Sequence, residues 1–288
     1  MKLGLSLPMF TEDVERPLRA AARAAEAGYD GVFAPDHLFP PGRPEGPSLE
    51  PFGILSAIAL RHPGLRIGTL VTRASIRPAG LLAKLGAALD HVSGDRAILG
   101  VGAGDSASKA EHDAFGLPFR PAAERVAVLD ETVGALRTLF EGRAWSGGDH
   151  VSAVAGPLVP PGHPELWIGG RSDPIVAAAA RRADAWNGWA MSAEGFRAAA
   201  ATLRRLAEGR DVMPTWGGIV LVARDDAELE RLLADRAERG LTIDLWHGTA
   251  AAFASFVDEL TDAGCGWTIV VPVGGDDRIG VVAEALRR

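Results

Sequence analysis

The feature that most constrains the fold is a regular alternation of short apolar runs and longer segments of helical period. Several of the runs are apolar at consecutive positions, as strands buried on both faces are. Eight strands are predicted, over residues 3–8, 31–36, 66–71, 96–102, 165–170, 185–190, 216–223 and 267–273. Such alternation predicts repeated βα units around a parallel sheet.

Helical segments follow these strands. They are predicted near residues 14–27, 51–62, 79–92, 122–141, 174–183, 193–209, 225–239 and 250–263, with a closing helix over 277–288. Eight strands with intervening helices in 288 residues is the count of a TIM barrel. The sequence therefore predicts one α/β domain, a (β/α)8 barrel over residues 1–288. A doubly wound open sheet is the alternative.

Composition narrows the function classes. The net charge is −7 and no basic block interrupts the chain, so no nucleic-acid partner is expected. The sequence contains no stretch of about 18 apolar residues, so no membrane span is predicted. The single cysteine, Cys265, excludes an intrachain disulfide, and the first residues lack the pattern of a signal peptide, so we expect a cytoplasmic protein. The seven histidines are scattered along the chain, so no metal site is predicted.

Polar residues follow the second predicted strand, which ends in Pro35-Asp36-His37. The carboxyl ends of barrel strands carry the active site, and histidine exchanges protons near neutral pH. The alternative is that Asp36 caps a turn and His37 is an ordinary loop residue.

Glycines dominate the end of the fourth strand. Gly100, Gly102 and Gly104 leave the backbone bare, which suits a planar ring lying against it, although such loops are common. Glu111 and His112 follow on a predicted helix and are as compatible with a solvated surface as with catalysis.

The fifth strand ends in Gly169-Gly170-Arg171-Ser172, ahead of a predicted helix. Two glycines, a hydroxyl and a helix N-terminus can bind a phosphate. Pro174 suits the first helical position, which makes Asp173 the predicted N-cap and a competitor for the phosphate. Trp186 and Trp189, on the sixth strand, either wall an aromatic ligand or fill the barrel, and the second reading is favoured.

Together these segments resemble the luciferase-like oxidoreductase family, and within it the branch that uses the deazaflavin coenzyme F420. The resemblance runs from residue 3 to about 272, and its order and spacing are more specific than any one motif. It is clearest over residues 27–37, 67–72, 89–104, 111–118 and 168–172, and again at 183–187.

The resemblance implies a role for each matching residue. His37 would donate or accept a proton beside the ring, with Asp105 as a second catalytic group. A non-prolyl cis peptide bond would lie in a bulge at Leu70–Val71. The residues implied to contact the cofactor are Asp36, Leu70, Val71, Thr72, Ala103, Gly104, Ser108, Gly169, Gly170, Arg171 and Ser172.

The implied activity is hydride transfer between F420 and a small organic substrate. One alternative is an FMN-dependent monooxygenase supplied by a separate reductase, and another is a barrel that binds a flavin without turnover. Members of the branch that oxidise sugar phosphates have Glu at Asp105, Asn-Glu at Ser108-Lys109 and an aromatic residue near Pro40-Pro41, so such a substrate is not expected. A homodimer is common in the family.

Overall fold

The computed structural model of the protein describes residues 1–275 and 277–287, so position 288 of the predicted closing helix lies outside them. The strands are β1 (Lys2–Ser6), β2 (Gly31–Ala34), β3 (Arg66–Arg73), β4 (Ala97–Gly102), β5 (Glu165–Gly169), β6 (Ala185–Trp189), β7 (Met213–Ala223), β8 (Trp246–Thr249) and β9 (Trp267–Pro272). The helices are α1 (Glu15–Glu26), α2 (Pro51–Arg61), α3 (Ala79–Ser93), α4 (Lys109–Ala114), α5 (Ala122–Phe140), α6 (Asp173–Arg182), α7 (Ala193–Leu206), α8 (Asp226–Glu238), α9 (Ala250–Asp262) and α10 (Arg278–Leu286).

Eight of the strands close into a parallel barrel. Each strand from β1 to β7 pairs with the next, and β9 pairs with both β7 and β1. The pairing of β6 with β7 completes the ring, which excludes the open-sheet alternative. The predicted (β/α)8 barrel is confirmed, and each predicted strand overlaps one of these eight.

β8 is a ninth strand that the sequence did not predict. Its four residues pair with the end of β7, from Val220 opposite Trp246 to Ala223 opposite Thr249. The pairing of β6 with β7 has already ended at Gly217, so β8 extends the sheet past the barrel proper. β7 also begins at Met213, earlier than predicted, and continues through the buried Pro214.

The inside of the barrel is filled by large side chains. Phe33 lies 5.4 Å from Trp167 and 5.5 Å from Trp267 between ring centroids. Leu70, Ile98, Ala185 and Ile269 complete this cluster. A second and larger cluster packs the helices against the outside of the strands. The barrel is therefore a packed core, and ligands reach it at the carboxyl ends of its strands.

Candidate active site

The centre of the site is a histidine held by a buried glutamate. His37 follows β2, and its Nδ1 lies 2.9 Å from Oε1 of Glu111, a residue of α4. The Leu38 amide donates to Oε2 of Glu111 at 2.6 Å, and Arg73, the last residue of β3, donates through Nη2 at 2.5 Å. The Glu111 side chain is 2% exposed and that of His37 is 31% exposed. Only the imidazole therefore faces outward from this cluster.

These contacts decide the charge of Glu111. Burial opposes its ionisation, but the hydrogen bonds from His37, the Leu38 amide and Arg73 outweigh burial and lower its pKa to about 2. A carboxylate only accepts hydrogen bonds, so Nδ1 of His37 carries a proton. The other ring nitrogen, Nε2, is left to exchange a proton with a ligand. The Phe10 ring packs edge-on against the imidazole at 5.8 Å.

Asp36 belongs to a second, internal network. It is 2% exposed, and Thr72 donates its hydroxyl to Oδ2 at 2.5 Å. Arg77 forms an ion pair with the same carboxylate and also reaches Glu50 at 3.1 Å. Asp36 and Thr72, both predicted to contact a cofactor, are thus bonded to each other beneath the site and fix the loop that carries His37.

β3 bulges where the resemblance implies. The Leu70–Val71 peptide bond is cis, and the register with β4 shifts between Thr69 and Thr72. Leu70 joins the aromatic cluster inside the barrel, whereas the Val71 side chain is half-buried. A Cβ added at Gly102 would lie 2.6 Å from Val71 Cγ2, and one at Gly169 would lie 2.8 Å from Val71 Cγ1. The glycines facing β3 therefore make room for this bulge.

Asp105 and Ser108 cap the short turn that follows β4. Oδ1 of Asp105 accepts hydrogen bonds from the amide and the hydroxyl of Ser108, both at 3.1 Å, and the Asp105 amide donates back to Ser108 Oγ. Ser108 is buried and Asp105 is exposed. Ala103 is 5% exposed, and Gly104 adopts a positive φ of 70°. Asp105, predicted to be catalytic, thus has a structural task that engages one of its oxygens.

The predicted phosphate loop leads from β5 into α6. Ser172, and not Asp173, is the N-cap of α6, so that prediction is wrong by one position. The Ser172 hydroxyl forms no cap hydrogen bond and is free to bind a ligand. A Cβ at Gly170 would lie 2.7 Å from Ile175 Cδ1. The residues fit a phosphate: Gly169 to Ser172 combine a bare backbone, an uncommitted hydroxyl and the exposed Arg171.

The two tryptophans of β6 have different surroundings. Trp186 stacks on Phe196 of α7 at 5.7 Å, outside the barrel, and its Nε1 donates to the Gly170 carbonyl at 2.8 Å. The Gly170 amide in turn donates to the Asn187 carbonyl at 3.0 Å. Trp186 therefore fixes the phosphate loop. Trp189 is half-buried and packs against the cluster inside the barrel.

Arg73 and Arg77 were not predicted as site residues, and Glu111 was left open between a solvated surface and catalysis. Of the Glu111-His112 pair, His112 is structural, since its Nδ1 lies 2.8 Å from the Pro118 carbonyl and its Nε2 lies 3.2 Å from Ser75 Oγ. Helical spacing alone does not separate the two neighbours. Only Arg73 carried a positional signal, since it ends β3 at the carboxyl face of the barrel.

Metal and membrane features were searched over residues 1–275 and 277–287. No three His, Cys, Asp or Glu side chains in that range are grouped to hold a metal ion. No helix there is both long and apolar enough to cross a membrane.

Two curated proteins resemble parts of the chain. An F420-dependent glucose-6-phosphate dehydrogenase of Beutenbergia cavernae is 33% identical over 132 residues, covering 45% of this chain and 38% of that protein. A phthiodiolone/phenolphthiodiolone dimycocerosates ketoreductase of Mycobacterium kansasii is 28% identical over 205 residues, 64% of this chain and 52% of that protein. The matches thus span about half or less of these relatives.

Solved structures share the whole fold. An F420-dependent secondary alcohol dehydrogenase in complex with an F420-acetone adduct superposes with a TM-score of 0.83 at 17% identity, covering 100% of this chain and 99% of that one. An EDTA monooxygenase from Chelativorans sp. BNC1 gives 0.82 at 16% identity, covering 99% and 92%. At such identities the likeness concerns the fold.

The family assignment rests on a match along nearly the whole sequence. The family model described as luciferase-like monooxygenase matches residues 1–275. The predicted family is thereby confirmed, and the partial matches to F420-dependent curated proteins agree with the predicted branch. The chain belongs to the luciferase-like monooxygenase family.

Proposed function

We propose that this protein is an oxidoreductase that transfers a hydride between coenzyme F420 and a small organic substrate, with His37 as the proton carrier. The observation that carries the proposal is the His37–Glu111 pair at the carboxyl ends of the strands, where the imidazole is the one partly exposed member. When bound, the deazaflavin supplies the carbon that accepts or donates the hydride.

A hydride transfer to or from a carbonyl or alcohol requires a proton to move as well. Because the Glu111 carboxylate fixes the proton on Nδ1, His37 has Nε2 available to accept the hydroxyl proton of an alcohol. In the reverse direction the imidazolium returns that proton to the forming alkoxide. Glu111 stays ionised in both directions and stabilises the imidazolium.

The remaining predicted residues would hold the cofactor. Gly169, Gly170, Arg171 and Ser172 would bind its phosphate, with Trp186 and Asn187 fixing the loop. Val71 and the backbone of Ala103-Gly104 would lie against the ring and its chain. Asp105 would contribute Oδ2, because Oδ1 is engaged by Ser108.

The relatives support F420 more than FMN. Curated relatives with partial matches include F420-dependent glucose-6-phosphate dehydrogenases of Beutenbergia cavernae and Nakamurella multipartita. The fold is shared almost equally with an EDTA monooxygenase, so FMN with a separate reductase is the second candidate. A homodimer is compatible with either.

A titration with F420 and with FMN, followed by the fluorescence of the seven tryptophans, tests the cofactor. We expect F420 to bind more tightly, by about tenfold or more, a difference of about 1.4 kcal/mol. Tighter binding of FMN, together with oxygen consumption by the reduced flavin, would replace the proposal with the monooxygenase. Binding of neither cofactor would contradict both.

Replacement of His37 tests the chemistry. With reduced F420 and a panel of small ketones, we expect His37→Gln to lower the turnover of any accepted substrate by about a hundredfold or more, without loss of cofactor binding. His91→Gln is the control, since His91 is exposed on α3 and bonds the Pro161 carbonyl. Equal turnover in the two variants would exclude His37 as the proton carrier.

A further inference from the structure

We infer that Arg73 is a positioning residue for the proposed proton transfer: acting through Glu111, its guanidinium keeps His37 in the neutral form that accepts a proton. The inference rests on the proposed role of His37. Arg73 contacts Glu111 and not His37, is buried, and acts through its charge.

Arg73 is buried and pairs with Glu111. Its side chain is 4% exposed, and Nη2 bonds Oε2 of Glu111 at 2.5 Å. Its Nε and Nη1 are buried and form no hydrogen bond within the described part of the chain. A buried guanidinium with these atoms unpartnered is costly to retain for packing alone. Glu111 is therefore the carboxylate that compensates this cation.

The two carboxylate oxygens of Glu111 have different partners. Oε1 faces His37, whereas Oε2 receives both Arg73 and the Leu38 amide. One carboxylate thus lies between two groups that can both be cationic. The positive charge of Arg73 offsets part of the negative charge of Glu111. Less of that negative charge is then left to attract a proton to the imidazole.

The net charge of Arg73, Glu111 and His37 depends on the protonation of His37. With His37 neutral, Arg73 and Glu111 sum to zero, and protonation of His37 makes the group +1. Without the cation of Arg73, the same two states would be −1 and zero. Loss of that cation therefore favours the imidazolium and weakens His37 as a base.

Other charged groups near His37 are already paired with one another. Asp36, its neighbour in the chain, forms an ion pair with Arg77, which also reaches Glu50. Phe10 and the hydroxyl of Ser48, which donates to the His37 carbonyl at 2.7 Å, add no charge. On α4, His112 is turned to Pro118 and Ser75. None of these contacts involves Arg73.

The experiment is an NMR titration of the His37 ring between about pH 5 and 9, with the signal assigned through His37→Gln. Four variants are compared with the unchanged protein. R73M and R73Q remove the charge, and R73Q keeps a polar side chain. R73K keeps the charge, and R66M removes a cation from the opposite end of β3, where Arg66 pairs with Glu165 at 2.8 Å.

We expect the midpoint of His37 to rise by about one pH unit in R73M and R73Q and to stay unchanged in R73K and R66M. An unchanged midpoint in R73M and R73Q, or an equal rise in R73K, would overturn the inference. Circular dichroism checks that each variant is folded. The titration needs neither cofactor nor substrate, so a failure of the proposed function would show separately, as absent turnover by a protein whose His37 titrates as expected.

Discussion

Among single residues, Glu111 connects more of the site than any other side chain described above. It joins the loop after β2, the end of β3 and α4 through one buried carboxylate. Its removal would leave the Arg73 guanidinium in the interior with no counter-charge. Breaking one side of a buried ion pair is far more destabilising than never having had the pair.

We expect Glu111→Gln to lower the free energy of unfolding by about 3 kcal/mol at neutral pH, measured by urea denaturation. The control is Glu165→Gln, which breaks the half-exposed pair with Arg66 and should lose less than about 1 kcal/mol. Combining Glu111→Gln with Arg73→Met should recover part of the loss, because no buried charge remains. Equal effects of the two single variants would show that the pair does not behave as a buried one.

The residue scale also shows where sequence reasoning reached its limit. His37 and Asp36 could be predicted because they end a strand, and strand ends meet at the active face. Glu111 could not be singled out, since its partners lie 74 and 38 residues away along the chain. Nothing local distinguishes it from His112, which turned out to be structural.

At the scale of elements, the bulge of β3 and the glycines of β4 depend on each other, because the two strands approach closely there. A Cβ at Gly100 would lie 2.3 Å from the carbonyl oxygen of Thr69, and the Thr69 hydroxyl donates to the Gly100 carbonyl at 2.9 Å. The obstacle is backbone and not the end of a flexible side chain. The bare backbone predicted to suit a cofactor ring is thus also required by the neighbouring strand.

We therefore expect Gly100→Ala to destabilise the protein by about 3 kcal/mol or more, measured as the urea midpoint of unfolding. Gly280→Ala is the matched control: Gly280 lies inside α10, and an added Cβ there meets nothing within 4 Å. That change should be neutral or stabilise by up to about 1 kcal/mol. Comparable losses in both variants would mean that strand crowding is not the cause.

The element scale explains the one strand that was missed. The eight barrel strands each begin a βα unit with a recognisable apolar run, whereas β8 has four residues, one of them glycine and one an exposed histidine. It is a strand only because the long β7 projects past β6 and offers unpaired backbone groups. Pairing of that kind depends on tertiary context, which local pattern does not contain.

For the whole molecule, a second buried arginine joins the last helix to the end of the barrel. Arg278, at the start of α10, is 3% exposed and bonds the Val222 carbonyl of β7 and Glu228 of α8, the latter at 3.0 Å. Glu228 also accepts from the Arg224 amide at 2.7 Å. These bonds join α10 to β7 and α8.

This network predicts how the fold responds to acid. The hydrogen bond from Arg278, followed by that from the Arg224 amide, lowers the pKa of Glu228 from 4.5 to about 2. Because the folded-state pKa lies below the unfolded one, Glu228 contributes stability above about pH 4.5, and that contribution is lost as the pH falls toward 2. Glu111 has the same sign and the same window.

Urea unfolding at a series of pH values down to pH 3 should show a steep loss of stability in the unchanged protein and a shallower one in Glu228→Gln. The variant starts less stable at neutral pH, because its contribution is already missing, so the two curves should converge as the pH falls. Glu230→Gln, an exposed position on the same helix, should run parallel to the unchanged protein. If Glu228→Gln also ran parallel across the window, Arg278 would hold α10 through packing and its bond to the Val222 carbonyl, without help from the charge of Glu228.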